Sequence, residues 1–435
     1  MPITDAQKPK LIIAGNGMAA GRLVDELMKC AADQYDISII GEEVEGSYNR
    51  IMLSPVLAGE LAHQSIIQKN AVWYEEQGMR FIGGVRVDSI QRHDNRITLS
   101  NGKTMHYDEL VIATGSTPSK IPARHQHLKN IHSFRTLHDV NTIIRASEHC
   151  QHAIVIGGGL LGLEAAYGLA QNDIKVTLIH RSAWLLNRQL DEPAASLLKE
   201  LMHSMNIEFR LNDEVEQFNS LPSTTHRSET DPQLASASLK SGERITCDLA
   251  IIATGISPNS ELASEAGLHV NKAIVVNDFL QTSHPNISAV GECCEHDGHT
   301  FGLVEPIWQQ CSSLANRLCK QTPTPFRNKP VATKLKVSGV QLFSAGQYLT
   351  QPHHRELVMQ DPANKVYRKL LLDDNRIVGV VLFGDTRDGQ FYFDLMQKAV
   401  NIREYVPQLI FGQAYCPHLD TQHKPDPNKS QIQAA

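Results

Sequence analysis

Two short glycine patterns, each set between an apolar run and a helical periodicity, constrain this chain more than any other feature. The first is Gly15-Asn16-Gly17-Met18-Ala19-Ala20 and the second is Gly157-Gly158-Gly159-Leu160-Leu161-Gly162. Leu11-Ile12-Ile13-Ala14 precedes the first and Ala153-Ile154-Val155-Ile156 the second, and both runs read as buried parallel strands. Behind the first, Leu23, Val24, Leu27 and Met28 recur at helical spacing. In a strand–turn–helix setting the first glycine permits a sharp turn and the second lets a pyrophosphate approach the backbone. The third position, Gly or Ala, lets helix pack on strand, and the helix end offers its positive dipole to the phosphates. Two such units in one chain imply two dinucleotides held at once, and electrons moving between them.

Val111-Ile112-Ala113-Thr114-Gly115 and Ile251-Ile252-Ala253-Thr254-Gly255 are near-duplicate strand ends, and Thr282-Ser283-His284-Pro285-Asn286-Ile287-Ser288-Ala289-Val290-Gly291-Glu292 follows. This set resembles the two-dinucleotide flavoproteins that include glutathione reductase and the ferredoxin and rubredoxin reductases. The resemblance implies an α/β fold. It consists of two Rossmann-like dinucleotide-binding domains, an FAD domain with an inserted NAD(P)H domain, plus a small α+β C-terminal domain. FAD then lies on Gly15, Asn16, Gly17, Met18, Ala19 and Ala20, beside Thr114 and Gly115, with NAD(P)H on Gly157, Gly159, Leu160 and Gly162, near Gly255. Gly291-Glu292 stands where the family has a Gly-Asp that binds the flavin ribityl chain, glutamate placing its oxygens on a longer arm.

A closer likeness runs from about residue 10 to about residue 388. Tyr48-Asn49-Arg50-Ile51-Met52-Leu53-Ser54, the Gly157 to Glu164 segment, Arg188-Gln189-Leu190-Asp191, Gly291-Glu292-Cys293, Phe301-Gly302-Leu303-Val304 and Thr333-Lys334-Leu335-Lys336 carry it. They resemble the flavin module of NAD(P)H-dependent nitrite reductase large subunits and the reductase subunits of assimilatory nitrate reductases. The implied layout is FAD domain 1–117 and 248–325, NAD(P)H domain 118–247, C-terminal domain 330–410, and a polar tail 418–435 read as disordered. The last domain often serves dimerisation or partner docking in the family, so a homodimer belongs to the expectation. Residues 220–238, rich in Ser and Thr, read as a surface loop, and 334–337, 340–344, 368–372 and 377–383 as strands.

Single residues refine the picture. Glu42 follows the apolar run Ile37-Ser38-Ile39-Ile40, where a carboxylate accepts from adenosine ribose hydroxyls, and Glu43 shares that place. Val87 matches the position whose backbone pairs with adenine, and equally reads as a packing valine. Arg50 matches a residue contacting the FAD pyrophosphate or flavin. After Val176-Thr177-Leu178-Ile179 come His180 and Arg181, where NADH users carry an acid, so Arg181 can face a 2′-phosphate. The nitrite reductase likeness points toward NADH, and the choice between NADH and NADPH stays open. Glu164 matches a glutamate near the nicotinamide carboxamide and reads as lying in the first helical turn. Pro306 reads as the N1 proline of a helix aimed at the flavin pyrimidine edge.

Absences narrow the chemistry. Residues 44–70 contain no cysteine, whereas disulfide reductases of the superfamily place a Cys-x4-Cys pair there and its peroxidases a single cysteine. Cys293-Cys294-Glu295-His296 lacks Cys-x2-Cys spacing and reads as a packed turn, so no metal is expected. The eight cysteines show no disulfide framework, which fits a reducing cytoplasm. A net charge of −6 with no basic run argues against nucleic acid. No apolar stretch is long enough to span a bilayer, and residues 1–10 have no hydrophobic core of a signal peptide.

The expected mechanism is hydride passage from nicotinamide to flavin N5, which needs alignment rather than a catalytic acid or base. Nitrite reductase large subunits continue into cluster and siroheme domains, whereas only Cys416 follows Cys319 here. The expectation is therefore a reductase subunit feeding a redox protein or an iron–sulfur or molybdenum catalytic subunit. The alternatives are a rubredoxin or ferredoxin reductase, and a non-enzymatic FAD-bound redox sensor or scaffold.

Overall fold

Near-continuous Ile and Leu runs can be satisfied only in strands covered on both faces, and the first of them sits at the centre of a sheet. In the computed structural model, which describes residues 8–31, 33–220, 232–322, 324–335, 340–417 and 419, strand Lys10–Ala14 is buried along four of its five residues. It pairs in parallel with Asp36–Gly41 on one side and Glu109–Ile112 on the other. The full order is Ile287–Ala289, Glu109–Ile112, Lys10–Ala14, Asp36–Gly41, Arg80–Gly83, parallel throughout. Residues 1–7, 221–231 and all of the tail except residue 419 lie outside the described residues, so the expectations placed on most of the leader and on the tail fall there. Contacts divide the chain into two units, Met1–Lys120 with Arg135–Thr142 and Gly255–Lys329, and Ile121–Phe134 with Ile143–Thr254 and Pro330–Ala435.

Within the first unit, helix Met18–Ala31 turns Leu23, Val24 and Leu27 into the core, and helix Val304–Leu318 packs against it. That second helix starts at Val304, so Pro306 is its third residue and not its first as the sequence suggested. The ring costs nothing there, because N–H groups of the first turn have no intrahelical acceptor. The two helices are tied at their far ends by a Cys30–Cys319 disulfide, a pair that the absence of a disulfide framework in the cysteine spacing did not point to. Spacing rules look for local patterns, and these two residues are 289 apart in sequence. Only the packing of one helix on the other brings them together.

The second unit repeats the plan. Its sheet runs Ile131–Ser133, Leu249–Ile252, His152–Ile156, Lys175–His180, Ile207–Leu211, again all parallel. Helix Leu160–Ala170 follows the central strand, and Leu163, Ala165, Ala166 and Leu169 are buried. Two parallel sheets, each with a helix springing from its central strand, make this an α/β protein with two Rossmann-like halves. The expected loop 220–238 is strand at both ends: Val215–Ser220 pairs with Leu234–Leu239, whose Leu234, Ala237 and Leu239 are buried. Ser-rich composition misled there because small residues pack well on an inner face. An antiparallel sheet, Ala332–Leu335, Leu342–Gly346, Arg376–Phe383, Val366–Asp373, Arg355–Asp361, with helix Gly389–Gln397 over it, closes the chain.

Asp191 ties that sheet to helix Glu192–His203. It caps helix Glu192–His203 through the Ala194 N–H, while its other oxygen accepts from the Tyr367 hydroxyl at 2.6 Å and the Lys369 ammonium at 2.9 Å. All three are buried, and Glu356 lies 3.3 Å from the same ammonium. Removing one partner leaves a buried charge unanswered, which is costlier than never having built the pair. We expect Asp191→Ala to lower unfolding stability by about 3 kcal/mol, held to that figure because Glu356 still faces Lys369, and Asp191→Asn by less. Urea unfolding of the two variants measures the difference, and equal stabilities would contradict it.

Candidate functional site

Both glycine turns are built on the same steric fact. A Cβ on Gly15 (φ +117°) would run into the Ala113 carbonyl, and one on Gly157 (φ +120°) into the Ala253 carbonyl. The turn N–H groups of these residues bond back to Ile40 and Ile179, fixing each turn to the second strand of its sheet. Gly17 and Gly159 differ: a Cβ there would meet nothing within 4 Å. Each therefore opens onto free space at the start of a helix, Met18–Ala31 or Leu160–Ala170. Unpaired first-turn N–H groups beside an open, side-chain-free surface are what a pyrophosphate requires, so both turns fit a dinucleotide.

Around the first turn the structure gathers most of the predicted positions. Asn16 accepts from the Tyr74 hydroxyl at 2.9 Å and donates to the Glu45 carbonyl. A Cβ on Gly291 (φ +92°) would stand 3.0 Å from that of Ala19, so the Gly291-Glu292 turn lies against the fingerprint. Ala20 is fully buried at the third position. Thr114 donates to the Asn259 carbonyl, and Asn259 returns a bond from its side chain to Thr114, pinning the strand end before Gly115. Gln310, wholly buried, accepts from the Gly291 N–H at 2.9 Å, and its amide nitrogen finds no partner among the described residues.

The carboxylates divide their labour. Glu42 is three-quarters exposed and makes one long ion pair, with Arg86 at 4.0 Å. Glu43 is committed: it pairs with Arg50 and accepts from the Tyr48 hydroxyl at 2.6 Å. Burial first of all holds the Tyr48 hydroxyl protonated, so it remains a donor to Glu43 while accepting from the Leu137 N–H. Arg50 also donates to the Arg135 carbonyl at 3.0 Å. Arg135 itself pairs with Glu292 and donates to Ser116 at 2.9 Å, and Ser116 donates to Glu292 at 2.7 Å. Arg135, Ser116 and Tyr48 were not singled out from the sequence. A signal for Arg135 was present: Thr136 and Asp139 bond reciprocally as a capping box, fixing Arg135 just before helix Leu137–Ser147. Val87 opens strand Val87–Gln91 and packs against the core of this unit.

At the second turn, His180 ends strand Lys175–His180. Its Nδ1 accepts from the Gly158 N–H at 3.1 Å, so the imidazole closes the turn instead of standing free. Leu186 folds back to donate to the Gly158 carbonyl at 2.9 Å. Gly162 is obligatory, since a Cβ there would enter the Gly157 carbonyl. Glu164 is the fifth residue of its helix, one turn beyond the expected position, because the helix begins at Leu160 directly after the glycines. Arg181 is exposed, and Gly255 (φ +123°) follows the strand end Leu249–Ile252.

Cys293, Cys294 and Cys311 are fully buried, and burial pushes their thiols up, Cys294 well above the usual range. Glu295 takes bonds from Asn271, Lys272 and Ala273, and His296 faces Asp278. Among the described residues no group of three or more His, Cys, Asp or Glu could hold a metal ion, and no helix is long and apolar enough to cross a membrane.

The model of a family described as pyridine nucleotide-disulphide oxidoreductase matches residues 9–314, and that of the rubredoxin NAD+ reductase C-terminal domain matches residues 330–400. The chain is 37% identical over 397 residues to the NAD(P)H nitrite reductase of Bacillus subtilis, covering 91% of this chain and 48% of the relative. It is 36% identical over 404 residues to the assimilatory nitrate reductase electron transfer subunit of the same organism, covering 93% and 51%. The chain thus spans about half the length of these two relatives. Among solved structures, the putidaredoxin reductase of a covalent putidaredoxin reductase–putidaredoxin complex matches with a TM-score of 0.81 at 25% identity, covering 91% of this chain and 94% of that one.

His180 makes stability pH-dependent in a definite direction. Burial lowers its pKa, with Asn187 opposing, so the folded chain resists a proton that the unfolded chain accepts near pH 6.5. Its contribution is complete above that pH and falls as pH drops toward the folded value. His180→Asn, which keeps an acceptor for Gly158 but does not titrate, should narrow its deficit against the native protein between pH 7.5 and 5.5. Melting curves at the two pH values decide it; a constant gap would contradict the assignment.

Proposed function

Because the chain belongs to the pyridine nucleotide-disulphide oxidoreductase family, we propose that it is an FAD-dependent oxidoreductase that passes electrons from NAD(P)H to a redox partner. FAD and NAD(P)H are its cofactors, and the observation that carries the reading is the pair of open glycine turns of identical construction in one chain. The proposed partner is the catalytic component of an assimilatory nitrate or nitrite reductase, supported by likeness to relatives so named. A cytoplasmic setting accompanies this reading, with six of the cysteines free. The match of residues 330–400 to a rubredoxin reductase domain favours a second reading, in which rubredoxin or a ferredoxin is the acceptor.

FAD, when bound, supplies the step from a two-electron donor to one-electron acceptors. The chain's own residues hold and orient. Gly15 to Ala20 take the FAD pyrophosphate on helix N–H groups, and Glu42, exposed and only loosely paired with Arg86, takes the ribose. Arg135, Glu292 and Ser116 form one charged cluster beside the fingerprint, to which we assign the remaining FAD contacts together with Arg50, Thr114 and Gly115. Gly157, Gly159, Leu160 and Gly162 hold NAD(P)H, with His180, Arg181 and Gly255 at its borders. Glu164 and Pro306 are assigned to the nicotinamide and flavin ends, and Val87 to adenine. The layout proposed is FAD on 1–117 and 248–325, NAD(P)H on 118–247 and a C-terminal domain at 330–410. No residue among 44–70 supplies an internal thiol acceptor, so electrons leave to another molecule.

The open turns give a clean test. Gly17→Ala adds a methyl to free space, so the protein folds, yet the methyl fills the place of the pyrophosphate and flavin content falls at least tenfold, about 1.4 kcal/mol of affinity. Gly159→Ala keeps the flavin and raises KM for the nicotinamide nucleotide. Absorbance of the purified variants and ferricyanide reduction measure both. Reoxidation of the reduced native protein by a nitrate or nitrite reductase component, but not by rubredoxin, supports the first reading, and the reverse the second. Failure of either nucleotide to bleach the flavin leaves only a sensor or scaffold.

A further inference from the structure

We propose that the nucleotide taken by the second turn is NADPH rather than NADH, and that Arg181 selects it by receiving the 2′-phosphate. The inference rests on the reading of Gly157 to Gly162 as the NAD(P)H cradle. Recognition of a 2′-hydroxyl needs an acceptor at the end of the second strand. That strand, Lys175–His180, ends in an imidazole whose Nδ1 is already engaged by the Gly158 N–H. From residue 180 to residue 190 the sequence carries Arg181 and Arg188 and no carboxylate.

Neighbouring charges do not change this balance. Asp191 is buried and given over to Tyr367 and Lys369. Asp213 donates its N–H to the His180 carbonyl, and its Oδ1 is held by the N–H groups of Glu214 and Ser241, which turns the carboxylate toward the neighbouring loop. Arg210 on the adjoining strand is spent on Glu243 and Glu208. Arg181 is exposed and, among the described residues, has no ion-pair partner.

Its backbone is held on both sides. The His180 carbonyl accepts from Asp213 at 3.2 Å, the Ser182 carbonyl from Asn212 at 3.2 Å, and Leu186 returns to Gly158 at 2.9 Å. A guanidinium on so fixed a loop pays little ordering entropy on binding, and its fork matches a phosphate monoester bidentately. Ser182 stands beside it as a hydroxyl donor.

The test uses the FAD-loaded protein and calorimetric titration with adenosine 2′,5′-bisphosphate and with 5′-AMP, which differ only in the 2′-phosphate. The native protein should bind the bisphosphate about tenfold to a hundredfold more tightly. Arg181→Ala should erase that preference while leaving 5′-AMP affinity and flavin absorbance unchanged, and Arg188→Ala should erode it less. Equal or tighter binding of 5′-AMP by the native protein overturns the proposal while leaving the cradle reading intact, as does a preference that survives Arg181→Ala. If neither nucleotide binds, the cradle reading falls and the proposal with it.

Discussion

A backbone carbonyl occupies the space of a side chain at both dinucleotide turns, and much else in the two sheets follows from that. Ala113 presses on Gly15 and Ala253 on Gly157, so the first glycine of each fingerprint is dictated by the strand beside it and not by any ligand. Because the turn is that tight, the helix starts at once over the strand end and its unpaired N–H groups face outward. The second pattern is tighter still, since Gly162 is blocked by the Gly157 carbonyl, whereas Ala20 is accommodated at the matching position of the first. The duplicated Ala-Thr-Gly strand ends are then parts of the turns themselves. Sterics inside the fold have already shaped a surface on which a pyrophosphate can lie.

This explains what could be read from the sequence and what could not. Strands such as Ala153-Ile154-Val155-Ile156, and the helices behind the glycines, depend on local pattern and were legible. Strand Arg355–Asp361 was missed because its residues are all exposed or half-buried and its apolar run, Leu357-Val358-Met359, is only three residues long between charged and polar neighbours. The Arg135–Glu292–Ser116 cluster joins residues up to 176 positions apart, and no spacing rule reaches that far. Cys30 and Cys319 are the same case, paired by helix packing alone. Glu43 was read beside Glu42 as a ribose acid, but only coordinates show that Arg50 and Tyr48 have claimed it.

The Cys30–Cys319 disulfide also bears on how electrons can travel. Cys30 lies twelve residues beyond Met18 on one helix, about 18 Å from the glycine turn at 1.5 Å per residue. It is therefore a tie between helix ends and not a relay beside the cofactor. The thiols that do lie near the fingerprint, Cys293, Cys294 and Cys311, are buried and protonated, and a protonated thiol is neither nucleophile nor ready ligand. The family takes its name from disulfide chemistry, but this chain has placed none of its described cysteines where that chemistry would run.

Under the proposed function two sheets of one design hold different nucleotides, and the cradles cannot tell them apart because a pyrophosphate is the same in both. Discrimination has to come from the residues just past each second strand, where the sugar carrying adenine is met. In the first unit an exposed Glu42 stands there, with Glu43 drawn away to Arg50. In the second an imidazole is turned inward to the glycine turn and an unpaired arginine stands outside it. The two turns thus carry opposite charge on equivalent scaffolds: a carboxylate past the first and a cation past the second. The same turn that makes the halves alike in the backbone leaves these few side chains to make them different in chemistry.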